Sequence, residues 1–216
     1  GADIIEIGIP YSDPIADGQV IQQSNIKALE NGMNIPLLFK QLEKIKDSIR
    51  VPLILMGYLN PVLQYGIEKF CEDAASVAVS GIILPDLPMY EFEMQYQQTF
   101  IRHNLKFIFL ITPETSEERI RQVDKFSSGF IYAVSSSSTT GNDKVISSES
   151  PYFKKLKDMK LKNPVLAGFG IKDKNTFYAA GKYTNGAIIG SAYINALKNT
   201  TDLNLTTKEF INMIKG

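Results

Sequence analysis

The sequence predicts an α/β protein built on a parallel sheet, and three observations carry that expectation. Short apolar runs of strand length alternate with amphipathic stretches along the whole chain of 216 residues. The connections between successive runs are long enough for crossover helices, which parallel strands require. No linker, charge block or low-complexity tract interrupts the alternation, so residues 1–216 are expected to form one domain.

The first run, residues 2–9, is apolar and β-branched and stops at Pro10. Further strands are expected at 51–58, 81–84, 106–111, 129–134, 164–167 and 186–189. Helices are expected at 19–31, 36–49, 67–77, 89–103, 116–126, 152–160, 173–182, 192–198 and 207–214. Leu38, Leu42, Ile45 and Ile49 recur at helical spacing, as do Phe70, Ala74 and Val77. Thr115 to Glu118 offers an N-cap with an acid three positions on. Seven recognisable strands leave a (β/α)8 barrel one unit short, so a gap is expected between the last strand and the first. The absence of an initiating Met suggests that the chain starts one β/α unit late.

Composition narrows the function. With 23 basic and 23 acidic side chains the net charge is zero, which argues against nucleic acid or an anionic membrane as the main partner. Cys71 stands alone, so no intrachain disulfide forms and a reducing, cytoplasmic setting is expected. No apolar stretch reaches membrane-spanning length, and no His/Cys cluster has metal-ligand spacing. His103 falls at a helix end and reads as a surface residue.

Glu6 sits in the middle of the first strand. An unpaired carboxylate there is costly unless its pKa rises. Alternation puts Ile4, Glu6 and Gly8 on one face and Asp3, Ile5 and Ile7 on the other. Asp17 follows in a loop rich in Pro, Gly and Ser, able to fold back over the strand end. Two carboxyls at one strand end, one drier than the other, form an acid/base arrangement. Alternatively Glu6 pairs with a buried Arg or Lys.

Gly168-Phe169-Gly170 follows one late strand and Gly190-Ser191 the next, each opening a helix. Small residues there let backbone N–H groups approach an anion, as in the phosphate sites of (β/α)8 barrels. They also suit plain tight turns. The polar segment 135–143, from Ser135 to Asp143, reads either as a lid over a substrate or as a surface connection.

From Glu6 to Gly18 the chain reads Glu-Ile-Gly-Ile-Pro-Tyr-Ser-Asp-Pro-Ile-Ala-Asp-Gly, which resembles the signature of the tryptophan synthase alpha chain family. The resemblance continues through Leu55 to Pro61, Leu84 to Pro88, Gly129 to Tyr132, Thr140-Gly141, Gly168 to Ile171 and Gly190 to Ala192, in the family's order. It implies a TIM barrel that cleaves indole-3-glycerol phosphate to indole and glyceraldehyde 3-phosphate, here without the first β/α unit. It implies Glu6 as the catalytic acid/base and Asp17 as the acid facing the indole N–H. Tyr132 would line the active site, and Ile21 and Phe169 would lie near the ligand. Thr140, Gly141, Gly168, Gly170, Gly190 and Ser191 would bind substrate, the glycines and Ser191 at its phosphate. No cofactor is implied for this chain. Pyridoxal phosphate belongs to the implied partner, the β subunit, which receives indole through a tunnel in an α2β2 assembly. Asp13 with its loop, and Asn60-Pro61, would match the contact regions for that partner.

Two departures from the pattern stand out. Ser138 and Thr139 replace a Gly-Val pair, which bears on lid closure. Residues 76–81, Ser-Val-Ala-Val-Ser-Gly, depart from the usual glycine-containing approach to the family's fourth strand, a change expected to be structural only. Two other readings compete: a different phosphate-binding barrel isomerase, and a fragment whose active site cannot assemble.

Overall fold

Every strand pairing among the described residues is parallel, as the alternation of strand and helix requires. The computed structural model describes residues 1–134, 151–168 and 170–216. Its elements run β1 (Ile5–Gly8), α1 (Gln19–Glu30), α2 (Ile35–Ile45), β2 (Leu53–Met56), α3 (Leu59–Tyr65), α4 (Ile67–Ser76) and β3 (Val79–Ile83). Then come α5 (Met89–Glu91), a π-helical turn (Phe92–Tyr96), α6 (Gln97–Arg102), β4 (Lys106–Phe107), β5 (Leu110–Ile111), α7 (Glu117–Phe126) and β6 (Ile131–Val134). The chain ends with α8 (Pro151–Asp158), β7 (Val165–Gly168), α9 (Lys174–Gly181), β8 (Gly186–Ala187), α10 (Ser191–Leu197) and α11 (Leu203–Lys215).

The strands form two four-stranded sheets, β1-β2-β3-β4 and β5-β6-β7-β8. The stretch expected as one strand over 106–111 is divided between them. Its pairing nonetheless continues, with the Ile108 N–H donating to Ile82 O and the Tyr132 N–H to Phe109 O, each at 3.0 Å. Two serine hydroxyls explain the break. Ser128 Oγ accepts from the Phe107 N–H at 3.0 Å and Ser127 Oγ from the Phe109 N–H at 3.3 Å, standing in for main-chain carbonyls while the strand changes neighbours. β4 and β5 therefore make one wall of the barrel, and among the described residues the walls number seven, as the sequence suggests. The outer edges of β1 and β8 pair with no strand among the described residues.

Register separates two apolar layers. Leu53, Leu55, Ile82 and Phe107 pack outward against the helices with Phe70, Phe100 and Phe153. Ile54, Ile83, Ile108, Phe130, Tyr132 and Val134 fill the barrel interior. Phe92 stacks on Phe107 with ring centroids 4.3 Å apart, tying the π turn to the wall. The C-terminal helices pack on each other through Tyr193 and Phe210, at 5.3 Å. Lys215 Nζ then reaches Gly1 O and, at 3.1 Å, the Asp3 carboxylate.

Some elements differ from expectation. α3 was hidden between a strand and a helix that read as consecutive. α11 begins at Leu203 because the Asp202 side chain accepts from the Leu205 N–H. His103 is not an open surface residue: its side chain is 19% exposed and its Nε2 lies 2.9 Å from Glu68 Oε1.

Candidate active site

Parallel register decides where Glu6 points. Glu6 is paired with Ile54, and Gly8 with Met56, both of which belong to the interior layer. Ile5 and Ile7 pair with Leu53 and Leu55 of the outer layer. Glu6 thus faces the lumen. By accessible area the residue is exposed to solvent, although protein atoms crowd its carboxyl. Burial, and then the negative charge of Asp17, raise its pKa from 4.5 to about 7. Among the described residues no ion pair forms to Glu6, so the alternative of a buried cationic partner fails there.

The loop after β1 folds back as its composition suggests. Asp17 N donates to Pro14 O at 3.0 Å, and Gln22 Nε2 of α1 donates to Asp17 O at 2.8 Å. Burial raises the Asp17 pKa, and a hydrogen bond from Tyr58 opposes that rise. The Tyr58 hydroxyl donates to Asp17 Oδ2 at 3.1 Å and accepts from the Ala16 N–H at 3.0 Å. Sequence reasoning missed Tyr58. The available signal was its place just after Gly57 at the end of β2, inside a block already matched to the family.

Tyr132 stands on β6, buried within the lumen layer. Its hydroxyl is pushed well above the ordinary range by burial first, then by the charges of Glu6 and Asp17. Three titrating groups therefore share one electrostatic field. Gly168, at the end of β7, makes room for this ring: an added Cβ would lie 2.2 Å from Tyr132 Cε1. Gly170 has φ +76°, a conformation that side chains rarely adopt. Gly190 caps α10 and Ser191 opens it. A Cβ on Gly190 would sit 3.9 Å from Ile21 Cδ1, so the start of α1 and the turn before α10 meet. Thr140, Gly141 and Phe169 lie outside the described residues, as does segment 135–143.

The two loops expected to meet a partner also come together. Tyr11 and Tyr58 pack with centroids 5.3 Å apart, and Asn60 Nδ2 donates to Tyr11 Oη at 3.5 Å. Asp13 accepts from Ser12 Oγ in the same loop. Among the described residues no group of three or more His, Cys, Asp or Glu side chains is arranged to hold a metal. No helix among them is long and apolar enough to cross a membrane.

A parallel β/α barrel with two acids near one strand end and glycine turns after its last two strands defines the class of TIM-barrel proteins whose site lies at the strand ends. Comparison with known proteins specifies which. The sequence profile described as tryptophan synthase alpha chain matches residues 1–215. The tryptophan synthase alpha chain of Flavobacterium psychrophilum is 52% identical over 203 residues, covering 94% of this chain and 79% of that protein. That of Christiangramia forsetii is 48% identical over 217 residues, covering 100% and 84%. Among solved structures, the tryptophan synthase alpha subunit of Pyrococcus furiosus superposes with a TM-score of 0.83 at 28% identity, covering 98% of this chain and 84% of that one. A tryptophan synthase complex from the same organism gives the same TM-score, 0.83, at 28% identity, covering 98% and 84%. The chain belongs to the tryptophan synthase alpha chain family.

Proposed function

We propose that this chain is the lyase that cleaves indole-3-glycerol phosphate to indole and glyceraldehyde 3-phosphate in tryptophan biosynthesis. The observation that carries the reading is the acid pair: Glu6 in the lumen with its pKa raised to about 7, and Asp17 beside it at the strand end. A group that is half protonated near neutrality both gives and takes a proton. In this reaction Glu6 donates to C3 of the indole ring, which creates a cationic indolenine. Asp17, as carboxylate, stabilises the charge developing at the ring N–H. Glu6, now anionic, takes the proton from the glycerol hydroxyl. The carbon–carbon bond then breaks to leave an aldehyde, and its electron pair returns to the indole ring.

Gly141, Gly168, Gly170, Gly190 and Ser191 hold the substrate by its phosphate end, and Thr140 contacts it as well. Binding energy at that remote group orients the reacting carbons. Tyr132, Phe169 and Ile21 border the ring. The chain works without a cofactor of its own. Its partner is the pyridoxal-phosphate-dependent β subunit, met through the loops of Asp13 and Asn60-Pro61, in an α2β2 assembly of the cytoplasm. The neighbouring Pyrococcus structure is itself described as a tryptophan synthase complex, which supports a β partner.

The test is Glu6→Gln. Turnover of indole-3-glycerol phosphate should fall by at least about 10²–10⁴-fold, the usual worth of a general acid–base group. Affinity for glycerol phosphate should stay within about twofold, because the phosphate end is held elsewhere. A variant that keeps its turnover removes Glu6 from the chemistry. A wild-type chain that ignores indole-bearing substrates removes the reaction itself.

A further inference from the structure

We propose that Asp86 is a positioning residue for Asp17, acting from a neighbouring loop through the first turn of α3 and the Tyr58 hydroxyl. The kinetic consequence rests on the lyase reading, whereas the structural coupling does not. Asp86 lies exposed in the loop after β3, and it is argued to act through Tyr58 rather than on a reacting atom. Both of its carboxylate oxygens accept from the Leu59 N–H, at 2.9 and 3.0 Å.

That bond does the work of a helix cap. The N-cap position of α3 is Tyr58, whose side chain makes no capping bond. A tyrosine ring is too long to fold back on its own first turn, and this one is turned towards Asp17 instead. The acid that satisfies the helix end comes from 27 positions away in sequence. On the other side of Tyr58, the Gly57 N–H donates to Ile83 O at 3.1 Å. A Cβ on Gly57 would lie 2.9 Å from Ile9 Cβ, so this peptide is wedged against β1's continuation. The Tyr58 backbone is thus pinned on both sides, once by a strand and once by Asp86. Asp86 is also close enough for its charge to raise the Tyr58 hydroxyl pKa. Among the described residues, the groups whose charge or hydrogen bonding meets the Asp17 carboxyl are Glu6 from β1, Tyr58 from the start of α3 and Tyr132 from β6, while Gln22 of α1 meets only its main-chain oxygen.

Releasing Leu59 lets the first turn of α3 fray and lengthens the Tyr58–Asp17 bond. Because that bond lowers the Asp17 pKa, its loss moves the pKa upward. The experiment follows the Asp17 carboxyl by NMR in protein with 13C-labelled aspartate, assigned through Asp17→Asn. Asp86→Ala should shift the Asp17 titration to higher pH. Tyr58→Phe should shift it in the same direction, and the double variant should move no further than Tyr58→Phe alone. Asp86→Asn, which keeps one acceptor oxygen and the shape, should restore most of the wild-type titration. In turnover, Asp86→Ala should lower kcat about five- to tenfold with KM within about twofold. An unshifted Asp17 titration in Asp86→Ala overturns the proposal, and so do shifts that add independently of Tyr58→Phe. If the wild-type chain has no lyase activity, the reaction is wrong, and the substrate-free titration still decides the coupling.

Discussion

A carboxyl that ionises near neutrality leaves a mark on stability as well as on rate. An acid whose pKa is raised on folding supports the fold while protonated, and that support is lost as pH climbs from 4.5 through about 7. Glu6→Gln is neutral throughout. It should match the wild type in urea unfolding at about pH 3.5, below the unfolded pKa, and exceed it at about pH 8.5. The gain should be about 1 kcal/mol, well below the full value of the shift, because water reaches the carboxyl. Gly168→Ala tests the neighbouring contact. Its Cβ would fall 2.2 Å from Tyr132 Cε1, so the ring or the strand must move. A loss of about 1–3 kcal/mol in thermal unfolding, with a lower kcat, is the expected result. That Glu6 faces the lumen was legible in the sequence, because strand alternation assigns it a face, whereas its lack of a described ion-pair partner was not. Nor was Tyr58, because its partner Asp17 lies 41 positions away and only the folded barrel brings them together.

Among the elements, the approach to β3 shows what a missing glycine costs. Ala78 has φ +62°, in the left-handed region that favours glycine. The sequence already marked residues 76–81 as departing from the family pattern, and the backbone there shows the consequence. Ala78→Gly should raise stability by about 0.5–1 kcal/mol, the relief of strain outweighing the entropy of glycine. Thermal unfolding measures it, with turnover unchanged. Strand existence was readable from apolar runs, but the division at 108–109 was not. It depends on the hydroxyls of Ser127 and Ser128, which a pattern of hydrophobicity treats as mere loop. The short helix α3 escaped for a related reason. Its cap is borrowed from Asp86, so no local signature announces its start.

For the whole molecule, the seven walls among the described residues followed from the sequence alone, and so did the border left by the edges of β1 and β8, which no described strand pairs. What periodicity could not tell is how that border is dressed, since α10 and α11 come together there through side chains of no regular spacing. Ile5 and Ile9 donate their N–H groups to Pro52 and Met56 of the β2 side. By the alternation of a parallel ladder, the amides of Glu6 and Gly8 face the border. Hydrogen exchange should therefore run faster at Glu6 and Gly8 than at Leu55 or Ile82 of the inner strands. Equal protection would mean that the border is closed in solution. The same geometry ties proton affinity to wall integrity. The group that ionises near neutrality is carried by a rib of the barrel with one neighbouring strand among the described residues, so anything that zips onto that rib will also dry its carboxyl and strengthen its hold on hydrogen ions.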